Sequence, residues 1–272
     1  MKREDIRACV LRVGGTNCDA ETKRSLEELG VHAEVLHMNE MVRRRNMFSY
    51  DALVFPGGFS YGDYVRAGAI WARWMLVRLG KELEEFVAQG RPVLGICNGF
   101  QVLVEMGLLP AFEGVSPCPE AVLATNVPPG YDCRWVRVKH WNGGKCVFTR
   151  KVPRGGVLRL PAAHAEGRFL LAKEKQKRQL QQLCENDQVV FRYCDENGES
   201  AEGRFPVNPS GAFHDIAGIC NVEGTVLGLM PHPERAFYWW QQPDWTRQKQ
   251  LSEHGDGKMV FEGLIDYLTK KF

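Results

Sequence analysis

The sequence has no apolar stretch approaching the roughly 18 residues that a membrane helix needs. Its start, Met1 to Arg7, is polar and lacks the character of a secretory leader. The expected location is therefore the cytoplasm, with no membrane partner. An excess of one charge is also missing. Lys and Arg number 35 against 33 Asp and Glu, a net charge of +2, so nothing calls for nucleic acid as a partner. The nine cysteines are an odd number, scattered, and contain no CxxC pair. That argues against a disulfide framework and a structural zinc site. The seven histidines show neither HExxH nor another paired-ligand spacing, so no metal is expected. No GxxxxGK(S/T) run is present, so an ATP site of the P-loop kind is not expected in this chain. Internal repeats and low-complexity tracts are absent too.

What is present is a chain of 272 residues, 44% of them hydrophobic, long enough to bury a sizeable core. One decorated domain over 1–272 is expected. The first hundred residues alternate between strand and helix signals. Ile6 to Val13, Val31 to His37, Ala52 to Phe55 and Val93 to Ile96 read as strands. Helical patterns run from Asp19, the expected cap, to about Leu29, from Ala67 to Leu79, from Glu82 to Ala88 and from Gly99 to Met106. Arg43-Arg44-Arg45 reads as a solvated surface run. This rhythm implies an α/β fold: a mostly parallel twisted sheet with helices on both faces. The chain then becomes richer in Pro and Gly. Arg134 to Lys139 and Val157 to Leu160 are short strand candidates, expected to form an antiparallel extension. Lys173 to Cys184 reads as an exposed helix and residues 195–215 as a long loop. Ile216 to Cys220 and Val226 to Met230 are strands, and Lys258 to Leu268 is a closing amphipathic helix.

Ligands of such sheets bind beyond the carboxyl ends of the strands, and three segments there carry chemistry. Cys97 follows a buried strand and precedes a helix, with Gly95 and Gly99 around it. A G-x-C-x-G turn is the cysteine counterpart of a nucleophile elbow. It lifts the side chain into the open, aims a helix N-terminus at the sulfur, and frees the Asn98 N–H for an oxyanion. Alone, it is equally the mark of a buried core cysteine. Pro56-Gly57-Gly58-Phe59 also ends a strand. Its glycines can turn backbone N–H groups toward a ligand, the second half of an oxyanion hole; a plain turn has the same composition. Pro231-His232-Pro233-Glu234 follows a third strand. The prolines restrict the backbone around His232, and Glu234 is placed to hold one ring nitrogen. Together the three spell nucleophile, oxyanion hole, base and orienting acid.

At these residues the chain resembles the class I (triad) glutamine amidotransferases, a flavodoxin-like fold. More closely, it resembles the family of glutaminase subunits of phosphoribosylformylglycinamidine synthase, which serve purine biosynthesis. The likeness rests on Thr16-Asn17-Cys18-Asp19, Pro56 to Tyr64 with Arg66-Ala67-Gly68, and Gly95 to Gln101. Phe191 to Asp195, Ala217 to Asn221 and Gly228 to Arg235 follow in order. Two departures stand out: Gly14-Gly15 where the family has Pro-Gly, and Ala165 where a Gly is common. Phe237 to Gln250 has no counterpart, and its three Trp point to a lid or a contact surface.

The resemblance implies that Cys97 attacks the side-chain amide of L-glutamine, with His232 as base and Glu234 orienting it. Gly57, Gly58, Phe59 and Asn98 would form the oxyanion and substrate pocket, Gln101 would contact bound glutamine, and His164 lies in a possible substrate loop. It further implies a synthetase subunit that takes the ammonia, with ATP and Mg on that subunit and no cofactor here. A small accessory subunit is also expected. The alternatives are a glutaminase serving another synthetase, a cysteine hydrolase or chaperone of a related parallel-sheet family, and a catalytically silent regulatory subunit.

Overall fold

The computed structural model describes residues 1–247 and 253–271. The first half of the chain is a run of β–α units. They are β1 (Arg7–Arg12), α1 (Asp19–Glu27), β2 (His32–His37), α2 (Met38–Arg44), β3 (Ala52–Phe55), α3 (Ala69–Ala88), β4 (Val93–Ile96) and α4 (Asn98–Glu105). β3 and β4 are buried along their whole length. That is why they appear as unbroken apolar runs rather than alternating ones.

The expected pair of helices over 67–88 is a single one. Trp71, Met75, Leu79, Leu83 and Phe86 form one continuous buried stripe along α3. That burial outweighs the ~1 kcal/mol by which Gly80 disfavours a helix interior. Asp19 does not cap α1: the cap position is Cys18, and Asp19 sits in the first turn, paired with Arg12 at 3.3 Å. An acid there suits the helix dipole without being the cap. Arg43 and Arg44 close α2, exposed and paired with Glu40 and Glu34, as a solvated run should be.

The second half supplies β5 (Ala121–Ala124), β6 (Asp132–His140), β7 (Val157–His164), β8 (Arg168–Leu171), α5 (Gln176–Glu185), β9 (Val189–Cys194), β10 (Ile216–Cys220), β11 (Val226–Leu229) and α6 (Lys258–Lys271). Nine strands make one sheet in the order β2-β1-β3-β4-β11-β10-β9-β6-β7. β2, β1, β3, β4 and β11 run parallel, and β10, β9, β6 and β7 extend the sheet antiparallel. The mixed α/β sheet is the expected one, although β5, β8 and β9 were not expected as strands. β5 and β8 pair only with each other. The loop over 195–215 is organised by Asp215, which accepts hydrogen bonds from Ser200 Oγ, Glu202 N, Gly203 N and Asn208 Nδ2. Among the described residues no helix is long and apolar enough to cross a membrane.

Strand order reverses at β1. The crossover through α1 leads outward to β2, and the one through α3 leads the other way, from β3 to β4. Right-handed crossovers in opposite directions put α1 and α3 on opposite faces. They also open a crevice beyond the carboxyl ends of β1 and β3, where ligands of open sheets bind. The segments after β1, β3, β4 and β11 all border it.

Candidate active site

Cys97 is the residue between β4 and α4. Its backbone is left-handed, φ 51° and ψ −105°, a conformation that costs a non-glycine residue on the order of 1–3 kcal/mol. The turn is held from both sides. Cys97 N–H donates to Leu229 O on β11 at 2.8 Å, and its carbonyl accepts from Gln101 N at 3.1 Å. The flanking glycines are required by packing. A Cβ on Gly99 would stand 1.8 Å from the Phe55 carbonyl oxygen, and one on Gly95 would stand 2.6 Å from Leu103 Cδ1. Only glycines let α4 start this close to β3 and β4. Cys97 is 5% exposed, and its Sγ lies 3.6 Å from Ala163 O.

His232 follows β11, the strand beside β4. Its N–H donates to Pro161 O at 2.8 Å, which fixes the backbone between the two prolines. Nδ1 stands 2.6 Å from Glu234 Oε1, with both side chains buried. A buried carboxylate there accepts the Nδ1 proton and leaves Nε2 as the basic nitrogen. Nε2 has no hydrogen-bond partner among the described residues. Burial opposes a charge on this imidazole, but Glu234 and the nearby Cys97 outweigh it and hold its pKa well above the ordinary value. His232 is therefore poised to accept a proton and keep it until a leaving group needs one.

Cys18, in the first loop, is a neighbour to which the sequence motifs assign no role. Its Sγ lies 3.8 Å from His232 Nδ1, and burial pushes its thiol pKa up. Cys18, His232 and Glu234 present three ligand-type atoms within 4.8 Å of one another. Two ligands of one tetrahedral zinc stand about 3.4 Å apart. The 2.6 Å between Nδ1 and Oε1 is thus a hydrogen bond with no room for an ion between its ends. Nothing in the sequence brings residues 18 and 232 together.

The glycine loop reaches this pair through the first loop. Asn17 N and Cys18 N both donate to Gly57 O, at 3.3 and 3.1 Å. A Cβ on Gly57 would meet His232 Cε1 at 2.7 Å. Gly58 has φ +152°, and its Cβ would meet Gly15 O at 2.7 Å, so no side chain fits there. Phe59 N–H is spent on Gly15 O at 2.9 Å. That narrows the oxyanion donors of this loop to its glycines, opposite Asn98 N–H at the start of α4. The Phe59 ring is half-exposed, 6.1 Å from that of Tyr131.

The Asn98 side chain ties this loop to α4. Its Oδ1 accepts from Ser60 N at 3.2 Å, and its Nδ2 donates to Gln101 Oε1 at 2.9 Å and Asp63 Oδ1 at 3.3 Å. Gln101 Nε2 in turn donates to Glu166 O at 2.6 Å. Both ends of the Gln101 amide are thus engaged within the protein, and it shapes the pocket wall. Gly58, Phe59, Cys97, Gln101 and His164 all line one cavity of about 40 Å³, together with Asp63 and Glu166. The sequence assigns the last two no role beyond membership of their motifs.

A thiol on a strained elbow, a histidine and carboxylate at the end of the next strand, and paired N–H donors between them are the parts of an acyl-transfer site. Comparison with known proteins agrees. The family model for the CobB/CobQ-like glutamine amidotransferase domain matches residues 5–268, and the chain belongs to that family. Within it the chain falls among the glutaminase subunits of phosphoribosylformylglycinamidine synthase, as the sequence motifs led us to expect. It is 46% identical to phosphoribosylformylglycinamidine synthase subunit PurQ of Archaeoglobus fulgidus, covering 99% of this chain and 100% of the relative. It is 39% identical to the subunit of the same name from Methanothrix thermoacetophila, covering 98% and 99%. Among solved structures it matches PurLQS from Thermotoga maritima with a TM-score of 0.71 and 32% identity, over 97% of this chain and 99% of that one. A glutamine amidotransferase from the same organism shares the fold at a TM-score of 0.56 and 16% identity, covering 98% and 99%.

Proposed function

We propose that this chain hydrolyses L-glutamine at Cys97 and delivers the ammonia to the ATP-dependent synthetase subunit of phosphoribosylformylglycinamidine synthase. The observation that carries the residue roles is the His232–Glu234 pair, buried and hydrogen-bonded at the end of β11, beside the strained Cys97 at the end of β4. Cys97 Sγ gives its proton to His232 Nε2 and forms a bond to the amide carbon. The oxyanion is held by Asn98 N–H and a glycine N–H of the 57–58 pair, a type of donor worth about a hundred- to a thousand-fold in rate. The C–N bond then breaks as His232 returns the proton to the departing nitrogen. Water, deprotonated by the same Nε2, attacks the thioester and releases glutamate and the thiol.

The whole chain acts as one domain, a reading supported by the single sheet that joins both halves. The partners are the synthetase subunit and a small accessory subunit. ATP and magnesium belong to the synthetase. The site is also narrow: a cavity of about 40 Å³ is far below the ~300 Å³ at which ligand pockets usually begin. Glutamine enters only when a wall moves, so the glutaminase is weak alone and is switched on by assembly.

The test is ammonia release from glutamine by wild type and Cys97→Ala, each with and without the synthetase. Cys97→Ala loses glutamine-dependent synthesis by at least ~10³-fold but keeps synthesis from added ammonia. Retention of glutamine hydrolysis by Cys97→Ala would sink the proposal.

A further inference from the structure

The chemistry above gives Cys18 no task, yet its side chain packs on the base. Cys18 is 1% exposed, and its backbone is fixed at both ends. Its N–H donates to Gly57 O at 3.1 Å. Its carbonyl accepts from Thr22 Oγ1 at 2.7 Å and Thr22 N at 3.2 Å, in the first turn of α1. With the backbone held there, Sγ lies 3.8 Å from His232 Nδ1. The Cβ on Gly57 that would meet His232 Cε1 at 2.7 Å would also stand 3.1 Å from this sulfur. Glycine, sulfur and ring thus pack together at the Nδ1 edge of the imidazole.

The protons there are assigned by their partners. Burial pushes the Cys18 thiol pKa up, so the sulfur keeps its hydrogen. Asn17 Oδ1, 3.1 Å from Sγ, accepts it. Nδ1 cannot, because Nδ1 itself donates to Glu234. The sulfur therefore meets the ring with its lone pairs. When His232 takes the proton of Cys97, the positive charge spreads over both ring nitrogens and Cε1. A soft, polarisable sulfur at that edge favours the charged ring over the neutral one. Burial opposes a charge on His232, and Glu234, then Cys97, then Cys18 act against burial. The other titratable groups that face the ring are His164, at the end of β7, and Tyr131, both held neutral by burial. Arg235 faces Cys18 and Glu234 and stays charged.

We infer that Cys18 is a positioning residue for the base: its sulfur, packed on Gly57 and the Nδ1 edge of His232, orients the imidazole and stabilises its protonated form, an assignment that rests on Cys97 being the glutaminase nucleophile. Cys18 touches neither glutamine nor the bond that breaks. It acts through His232, on the side of the ring that Glu234 also holds.

The test follows glutamine hydrolysis across pH by the chain assembled with its synthetase. Cys18→Ala keeps the backbone bonds and removes the sulfur alone. It should lower kcat about 3- to 10-fold, the range of one sulfur–ring contact. KM should change less than about twofold, because other residues line the substrate cavity. Cys97 and His232 titrate as a pair. A ring that holds its proton less well releases it at lower pH, so the kcat/KM profile should move down by about 0.5–1 pH unit, the same fold-change on a logarithmic scale. Cys18→Ser keeps lone pairs on a shorter bond and should lie between wild type and Cys18→Ala in rate and in profile. If the alanine variant does not assemble, the serine variant decides by the same downward shift. A lower kcat with an unmoved profile makes Cys18 a packing residue only. A profile moved upward gives the sulfur the opposite effect, and wild-type kinetics in both variants leave it no task; each of the three overturns the proposal. Persistence of glutamine hydrolysis in Cys97→Ala would instead remove the glutaminase reading itself, so the two failures are distinct.

Discussion

At the scale of single residues, the site sets two buried histidines to opposite tasks. His232 has a carboxylate on Nδ1 and is held ready for charge, whereas His164 has a neutral amide on Nδ1 and is held neutral. The second arrangement has a cost that pH can expose. The folded-state pKa of His164 is down at about 4, against the ordinary 6.5. Above pH 6.5 neither state takes up the proton, and this residue adds no pH dependence. As pH falls from 6.5 toward 4 the unfolded chain binds the proton and the folded one does not, so stability is lost by about 3 kcal/mol across that window. Below about 4 the loss is complete. Denaturant unfolding of wild type and His164→Gln at steps between pH 7 and 4 should show the difference between the two curves shrinking by roughly that amount. Parallel curves would show that His164 is not buried neutral. Cys97 was legible in sequence because flanking glycines write an elbow into adjacent positions. Cys18 was not, because its 3.8 Å approach to His232 spans 214 positions that no local pattern links.

At the scale of elements, what could be read was whatever one strand or helix settles by itself. The buried strands of the parallel half appear as short apolar runs bounded by glycine, and the sheet class followed from their rhythm. β5 and β8, four residues each, owe their pairing to each other and carry too short a pattern to be read alone. The sequence suggests two helices where α3 is one, because Gly80 falls between the two patterns and the buried stripe that runs past it is a tertiary feature. The junction of β3, β4 and α4 is the most tightly specified part of the site. Gly99→Ala places a Cβ 1.8 Å from the Phe55 carbonyl, backbone that cannot swing aside. Overpacking of this kind costs about 1–3 kcal/mol or more, which for a chain of this length lowers the melting temperature by about 2–5 °C or more. It also tilts the start of α4, and with it Asn98 N–H, so glutaminase activity should fall with the stability. Gly14→Ala meets nothing within 4 Å and should melt within about 1 °C of wild type. Equal melting temperatures for the two variants would refute this account of the elbow.

At the scale of the molecule, the long parallel-to-antiparallel sheet brings the ends of β1, β3, β4 and β11 to one crevice, and the loop after β3 closes it. That loop is strained. Tyr61, Asp63 and Val65 all have left-handed backbones, φ 54°, 53° and 74°. For a β-branched residue such as Val65 this is an outlier that persists only where the surroundings impose it. Val65 is also 85% exposed and Tyr64 73%, an apolar pair standing out beside a narrow cavity. Exposed apolar side chains on a strained loop over a site too small for its substrate fit a segment that relaxes when a partner covers it. Under the proposed function, the synthetase that takes the ammonia is the partner expected there. Val65→Asp removes the apolar contact and also favours the left-handed conformation the loop already has, so the isolated chain should melt at or slightly above the wild-type temperature. In the complex, the same change should weaken synthetase binding and cut the stimulation of glutaminase by about tenfold. Glutamine hydrolysis measured against added synthetase decides the matter. A wild-type rate that is the same with and without synthetase removes the switch, and full stimulation of Val65→Asp places it elsewhere on the surface.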